Sequence, residues 1–125
     1  MKTEIKSTKA PGAIGPYSQA VKAGDFVYVS GQLPIDASTG EMPEDIKGQT
    51  KQSLENIKAI LLEAGASMDA VVKSTVYLAD MSLFNPMNEV YGEYFQGVFP
   101  ARAAFAVKEL PKKALVEIEV VAFLG

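Results

Sequence analysis

A chain of 125 residues with 48% hydrophobic and 22% charged residues has the composition of one ordinary globular domain, residues 1–125, and is too short to bury two separate cores. Twelve basic and fifteen acidic residues give a net charge of −3, and no run of basic residues is present to follow a phosphate backbone, so no nucleic-acid partner is expected. The absence of Cys and His excludes disulfides, thiolate nucleophiles and the commonest metal ligands, so any base must be a carboxylate, Lys or Tyr.

Membrane and secretory signals are missing from the chain. No segment has the roughly 18 uninterrupted apolar residues that a membrane-spanning helix requires. Residues Met1–Lys6 are not followed by the apolar stretch of a signal peptide. We therefore expect a cytoplasmic protein with no membrane partner.

The first part of the chain predicts a structured loop and a strand. Residues 8–19 contain two Pro and two Gly, which is typical of an irregular but defined loop, and Tyr17 lies near its end. The β-branched and aromatic run Phe26–Val29 predicts a strand, entered through a hairpin turn at Gly24 and Asp25. Ser30 and Gly31 then lie at the end of this strand.

The middle of the chain changes its hydrophobic period. Apolar residues recur at three- and four-residue steps between Ile46 and Ala64, which predicts a helix that starts after Pro43 and stops at Gly65. Strict alternation then predicts a strand over Val71–Leu78 with one fully apolar face.

A second helix follows, and its start is ambiguous. Either Ser82 is the N-cap, or Asn85 is the N-cap with Pro86 at the first helical position. In both cases Asn88 lies in or near the first turn, and the helix runs to about Gly97.

Two further strands, about Ala101–Val107 and Leu115–Phe123, flank a turn at Leu110–Lys113. The order of elements predicts an α+β fold, with a mixed sheet and two helices on one face. On the last strand neither face is purely polar, because Val121 and Phe123 share a face with two Glu residues. We therefore expect the second face to be buried against another subunit in a small symmetric oligomer.

Arg102 and Glu117 stand out because they lie within otherwise apolar strands. The planar guanidinium of Arg102 suits a carboxylate ligand, and burial would make Glu117 a general base. On the residues alone structural roles are favoured: Arg102 would be a surface residue or an ion-pair partner of Glu117 or Glu119, and Glu117 part of a solvated edge.

The distance between these two residues depends on how the last strands pair. A hairpin centred near Lys112 would place Glu117 opposite Val107, about 16 Å along the ladder from Arg102. The two side chains could then share a small ligand only across a subunit boundary, unless the strands pair differently. Tyr17, Ser30, Gly31 and Asn88 are candidate ligand contacts, or ordinary loop and cap residues.

Several segments, in this order and spacing, resemble the RidA (reactive intermediate deaminase A, also YjgF) family over essentially the whole chain. They are Ala10–Ala20, Val29–Pro34, Gln52–Ile57, Val90–Phe95, Pro100–Arg102, Leu110–Lys112 and Val116–Glu119. The resemblance implies a chorismate-mutase-like α+β fold and a homotrimer with ligand clefts between subunits. It also implies hydrolysis of 2-imino acids and their enamine tautomers to 2-oxo acids and ammonia, with no metal or organic cofactor.

The same resemblance implies roles for individual residues. Arg102 matches the carboxylate-binding Arg of the family and Glu117 matches its water-activating Glu. Four other residues match the remaining cleft positions: Tyr17, Ser30, Gly31 and Asn88. Ala104 departs from members with a Cys in the cleft, which affects the expected fit of the ligand more than the chemistry.

Three functional hypotheses follow. The first is a 2-iminobutanoate/2-iminopropanoate deaminase that acts on the products of pyridoxal-phosphate dehydratases. The second is a non-catalytic regulatory trimer that binds 2-oxo acids or amino acids in the same cleft. The third is a ribonuclease, a label sometimes attached to this family, and the acidic composition and the absence of His argue against it.

Overall fold

The structure is a computed structural model that describes residues 1–125. It contains one six-stranded sheet and two α-helices, so the predicted α+β architecture is confirmed. The strands are β1 (Lys2–Ile5), β2 (Ala20–Ala23), β3 (Phe26–Gln32), β4 (Val71–Leu78), β5 (Ala101–Ala106) and β6 (Val116–Phe123). Helix α1 (Ile46–Glu63) connects β3 to β4, and helix α2 (Phe84–Gly92) connects β4 to β5.

The strand order in the sheet is β1-β2-β3-β6-β4-β5, and only the pair β4 and β5 is parallel. A parallel pair needs a crossover connection, and α2 supplies it. A hairpin between the last two strands, considered from the sequence, is therefore wrong. Strand β5 lies at the sheet edge, whereas β6 lies between β3 and β4 and pairs with both. Alternate residues along β6 are buried.

The sheet differs from the predicted strands at its first edge. Strand β1 was not predicted, because its residues are polar or exposed and pair along one edge only. Strand β3 does not end before Ser30 but continues to Gln32. Its register against β6 shifts between Val29 and Gln32, where Ser30 and Gly31 form a bulge that opposes one residue of β6.

Helix α1 matches its predicted span closely. Asp45 is the N-cap, and its carboxylate accepts a hydrogen bond from the backbone N–H of Gly48 at 3.1 Å. Gly65, just beyond the C-cap Ala64, has φ +77°, a left-handed conformation that ends the helix.

Helix α2 begins between the two predicted starts and ends earlier than expected. The capping carboxylate belongs to Asp80, which accepts from the N–H of Ser82 at 2.8 Å, so neither Ser82 nor Asn85 is the cap. One 3₁₀ turn leads from there into Phe84, and the helix ends at Gly92 instead of Gly97. Pro86 is tolerated because N–H groups in the first turn have no acceptor within the helix.

The hydrophobic core lies between one face of the sheet and the two helices. Strand residues such as Val76 and Ile118 are fully buried there against Leu54 and Met87 of the helices. The opposite face, called the open face below, carries four aromatic side chains that are 39–47% exposed: Phe26, Tyr28, Phe105 and Phe123. Neither helix is long and apolar enough to cross a bilayer.

The side chain of Asn56 joins α1 to the segment after β3 by hydrogen bonds, and its contribution to stability can be tested. Its side-chain amide is buried and donates to the carbonyl oxygens of Leu33 at 3.1 Å and Ile35 at 2.9 Å. Asn56→Ala leaves both carbonyls without this donor, so we expect a loss of about 2 kcal/mol in the free energy of unfolding. Urea unfolding at one fixed protein concentration measures it, with the exposed Lys58→Ala on the same helix as control. Equal stability of the two variants would contradict the assignment.

Candidate functional site

Arg102 lies at the outer edge of the sheet, on the face that carries the helices. Its Cα partner on β4 is Ser74, whose buried hydroxyl is 2.6 Å from the hydroxyl of Tyr91 on α2. A pocket of about 360 Å³ opens here. We call it the arginine pocket, and its lining residues are Asn88, Tyr91, Gly92, Phe99, Pro100 and Arg102.

Helix α2 positions the guanidinium of Arg102. Its Nη1 donates a hydrogen bond to Oδ1 of Asn88 at 2.7 Å. Its Cζ lies 4.8 Å from the ring centroid of Tyr91 and 5.5 Å from that of Phe84, within the range of cation–π attraction. The predicted site residues Arg102 and Asn88 are thus in direct contact.

The positive charge of Arg102 has no carboxylate partner within the chain. The two ion pairs of the structure join Lys6 to Glu4 and Lys47 to Glu89. The alternative ion pair of Arg102 with Glu117 or Glu119 is therefore wrong for a single chain. With one N–H bound to a neutral amide, the remaining donors of the guanidinium are free for an anionic ligand.

Glu117 lies in the middle of the sheet on the open face. Its Cα partner on β4 is Tyr77, and its carboxylate lies against Gly31 in the β3 bulge. A small cleft of about 70 Å³ beside Gly31 is also lined by Tyr17 and Lys112. We call Glu117 together with this cleft the glutamate cleft. A larger depression of about 660 Å³ next to it shares Tyr17 and Gln19.

Gly31 leaves the space that the Glu117 carboxylate occupies. A Cβ built on Gly31 would lie 2.1 Å from Oε2 of Glu117 and 3.0 Å from its Cδ, both closer than any normal contact. Any side chain at position 31 therefore has to push the carboxylate away. This close approach explains why glycine is needed at the bulge.

Ser30 and Gln19 hold the loop that carries Tyr17. The hydroxyl of Ser30 donates to the carbonyl of Ser18 at 2.6 Å, so this predicted ligand contact makes a bond within the protein. The buried side chain of Gln19 donates to the carbonyls of Ser7 and Pro11 and accepts from the N–H of Ser7. The loop is therefore irregular but defined, as its sequence predicts, and Tyr17 remains 52% exposed.

Burial raises the pKa of the Glu117 carboxyl, and the charge of Glu119 two residues along the same face adds to the effect. Glu119 itself accepts a hydrogen bond from the hydroxyl of Tyr77. That bond, followed by burial, raises the pKa of Tyr77 to about 12. Glu117 is thus a carboxylate with raised basicity at an open cleft, as a general base requires.

The predicted site residues fall into two groups on opposite faces of the sheet. Arg102 and Asn88 lie on the helix face, whereas Tyr17, Gly31 and Glu117 lie around the glutamate cleft on the other side. Two strand spacings and three residues of register separate the Cα atoms of Arg102 and Glu117, about 14 Å in all. One chain alone therefore cannot bring both side chains to a small ligand.

Three residues of these sites were not among the candidates from the sequence. Phe84 and Tyr91 contact Arg102, but their apolar positions on a helix predict only core packing. Lys112 reaches the glutamate cleft from a turn in which it and Lys113 have φ +57° and +58°. The Leu-Pro-Lys-Lys segment predicts a turn, but only the fold places that turn beside Gly31.

No three acidic side chains come together in a way that would hold a metal ion. The arrangement can do two things chemically. The arginine pocket can bind a carboxylate, and the glutamate cleft can accept a proton from a water molecule.

Comparison with known proteins places the chain among relatives of the same length. The family model for endoribonuclease L-PSP matches residues 7–124. A RutC family protein of Pyrococcus abyssi is 58% identical over 98% of this chain and 97% of its own length. The 2-iminobutanoate/2-iminopropanoate deaminase of mouse is 50% identical over 97% of this chain and 90% of its own length.

A solved structure agrees with these relatives. The crystal structure of Escherichia coli TdcF with bound serine superposes with a TM-score of 0.92 at 43% identity, and the match covers 97% of this chain and 98% of that chain. Sequence and fold thus agree over nearly the whole length. The chain belongs to the endoribonuclease L-PSP family, and the resemblance to RidA proteins that its motifs indicate is confirmed.

Proposed function

We propose that this protein hydrolyses 2-iminobutanoate and 2-iminopropanoate, with their enamine tautomers, to 2-oxo acids and ammonia. The observation that carries the proposal is the guanidinium of Arg102, which lies in a pocket with no carboxylate partner. A 2-imino acid brings the carboxylate that this group lacks. The mouse relative is named for this activity, which supports the choice of substrate.

In the proposed reaction Arg102 binds the substrate carboxylate with two parallel hydrogen bonds. Asn88 and the rings of Tyr91 and Phe84 hold the guanidinium in place. An arginine fixed in this way loses little side-chain entropy on binding, and it orients the imine carbon relative to the base.

Glu117 accepts a proton from a water molecule as the water oxygen bonds to the imine carbon. The protonated imine is already electrophilic, so the step needs no cofactor. In the tetrahedral intermediate Glu117 returns this proton to the nitrogen and then accepts the hydroxyl proton; as the C=O bond forms, the C–N bond breaks and ammonia leaves with its electron pair. The raised pKa of Glu117 suits this exchange, because the same group must both accept and return a proton.

We further propose that each site forms between two copies in a homotrimer. The arginine pocket of one subunit would meet the glutamate cleft of its neighbour, since the two lie on opposite faces of one chain. The half-exposed aromatic residues of the open face support its burial against another copy. A cytoplasmic location remains a prediction.

A non-catalytic role in binding 2-oxo acids or amino acids is the second candidate, and the serine bound to Escherichia coli TdcF favours it. Binding of a carboxylate requires only the arginine pocket. The presence of Glu117, with its raised pKa, favours catalysis. In a protein that only binds anions, a carboxylate near the ligand would weaken the binding. RNA is a poor ligand for the same reason, since Glu117 and Glu119 would repel its phosphates.

Arg102→Ala tests the binding half of the proposal. We expect kcat/KM for imine hydrolysis to fall at least about 100-fold, because a charge-assisted bidentate anchor of roughly 3 kcal/mol is lost. The assay measures ammonia release from 2-iminobutanoate that a threonine dehydratase generates in situ. The kcat/KM of Arg102→Lys, which keeps the charge but not the planar guanidinium, should lie between those of the wild type and Arg102→Ala. Full activity of the Ala variant in an intact oligomer would contradict the site.

Mixed oligomers test whether two subunits share one site. Arg102→Ala and Glu117→Gln are each expected to be inactive, the latter with ligand binding retained. Unfolding and refolding the two together should restore about a quarter of the wild-type activity, because a quarter of random neighbouring pairs supply both intact residues. Mixing Arg102→Ala with the double variant is the control and should restore no activity, because no subunit of that mixture has an intact Arg102. No recovery in the first mixture, with exchange of subunits verified by mass, would show that the two residues do not share a site.

Gly31→Ala tests the close approach of the bulge to the base. The added Cβ should displace the Glu117 carboxylate, so we expect kcat to fall about tenfold or more with a small change in KM. Lys58→Ala, at an exposed position of α1 outside both the arginine pocket and the glutamate cleft, is the control and should leave kcat unchanged. An unchanged kcat for Gly31→Ala would show that the position of this carboxylate does not limit the reaction.

A further inference from the structure

Tyr77, Glu117 and Glu119 form a polar cluster on the open face of the sheet. Glu117 and Glu119 are alternate residues of β6, so their Cα atoms are about 7 Å apart and their side chains share a face. Tyr77 on β4 is the Cα partner of Glu117, yet its hydroxyl reaches diagonally and donates to Oε1 of Glu119. The phenol therefore binds the carboxylate next to the expected base, and not the base itself.

The ring of Tyr77 is held in this position by Phe105 on the neighbouring strand β5. The two ring centroids are 5.6 Å apart and the rings meet edge to face at 87°. Because the phenol stays protonated far above neutral pH, it remains a donor to Glu119 at any pH at which the protein would work. A donated hydrogen bond of this kind holds the acceptor carboxylate in one orientation.

We propose that Tyr77 and Glu119 are positioning residues for the base: the tyrosine hydroxyl fixes the Glu119 carboxylate in place beside Glu117, and this fixed negative charge strengthens Glu117 as a proton acceptor. The inference rests on the proposed function, in which Glu117 activates water. It adds two residues that touch neither substrate nor water and act only through Glu117.

The direction of the hydrogen bond decides the effect. A donor on Glu117 would stabilise its anion and make it a weaker base, whereas a donor on Glu119 leaves Glu117 unbonded and only holds the neighbouring carboxylate in place. The pKa of Glu117 is raised first by burial and then by Glu119, with no donor opposing the shift. The hydrogen bond from Tyr77 therefore leaves Glu117 free to accept a proton and fixes the like charge of Glu119 beside it.

Other groups around Glu117 come from four elements and leave Glu119 as its one charged neighbour on the same strand face. Arg102 of β5 lies on the opposite face. The titratable residues of the same chain that face the cluster or the adjoining cleft are Lys73 and Tyr77 from β4, Tyr28 from β3, Tyr17 from the N-terminal loop and Lys112 from the turn before β6. In the proposed trimer the arginine pocket of a neighbouring subunit would also face Glu117, and its positive charge would act equally in the wild type and in the variants compared below.

Glu119→Gln removes the charge but keeps an oxygen that can accept from Tyr77. Without the like charge, the pKa of Glu117 falls, so the acid limb of the kcat/KM profile should move to lower pH by about half a unit or more. The limiting kcat should fall about two- to threefold, because a weaker base transfers protons less effectively. Glu63→Gln, an exposed position at the end of α1, is the control and should leave the profile unchanged.

Tyr77→Phe tests the hydroxyl without disturbing the packing against Phe105. The profile should shift in the same direction as for Glu119→Gln but less, because the Glu119 carboxylate loses the hydrogen bond that fixes it and can turn into solvent, where its charge acts more weakly on Glu117. Tyr77→Phe combined with Glu119→Gln should match Glu119→Gln alone, since the tyrosine acts through Glu119. Additive shifts in the combined variant would contradict this order of action.

A titration that needs no catalysis separates this inference from the proposed function. The carboxyl carbons of ¹³C-labelled glutamate are followed by NMR against pH, with the Glu117 signal assigned from Glu117→Gln, in oligomers of verified size. A lower pKa of Glu117 in Glu119→Gln supports the coupling even if the wild type has no deaminase activity, which would overturn only the proposed function. An unchanged Glu117 titration in Glu119→Gln would overturn the inference whatever the activity.

Discussion

Strand β6 is hydrogen-bonded along both edges, to β3 and to β4, and the rest of the structure depends on the register of this central strand. Its alternate residues Val116, Ile118, Val120 and Ala122 are buried under the helices. A shift of the register by one residue would move all four out of the core and bury two carboxylates there. The free energy lost would exceed the net stability of a domain of this size. The packing of the core therefore also places Glu117 and Glu119 on the open face.

The charges of the two half-sites are complementary. The arginine pocket holds a cation that no carboxylate of its own chain reaches, and the glutamate cleft holds carboxylates that no cation of the chain pairs with. Aromatic rings and an amide keep Arg102 ordered without neutralising it. Attraction between the arginine pocket of one copy and the glutamate cleft of another would favour the orientation in the proposed trimer. In that orientation one ligand can contact both half-sites.

The parts of the fold that could be predicted are those that local pattern determines. Helix α1 and strand β4 match their predicted spans almost to the residue, because their apolar residues recur at the period of each element. The predicted alternation of β4 is wrong at its first residues, where a register shift between Val71 and Lys73 buries Val71 and exposes Val72. Strand β1 has no such face, and the start of α2 depends on Asp80, whose capping role emerges only from the 3₁₀ turn before the helix. The residue types Arg102 and Glu117 were visible in the sequence, but strand order decides which face each occupies.

Pairing of distant strands is the information that the local pattern lacks. Nothing in residues 101–123 distinguishes a hairpin from two strands separated by β4, since both satisfy the same alternation. The contact of Gly31 with Glu117 and the approach of Lys112 to the same cleft depend on that order. The candidate residues could therefore be named from the sequence, while their division between two faces could not.

The division of the site also has a genetic consequence. In the proposed trimer, a chain that has lost both half-sites but still assembles would inactivate two clefts. One would lack its arginine pocket and the other its glutamate cleft. A cell that carried one normal and one such allele would retain less than half of its activity. Dominance, usually a property of regulatory or structural proteins, would here follow from the position of two side chains on opposite faces of one sheet.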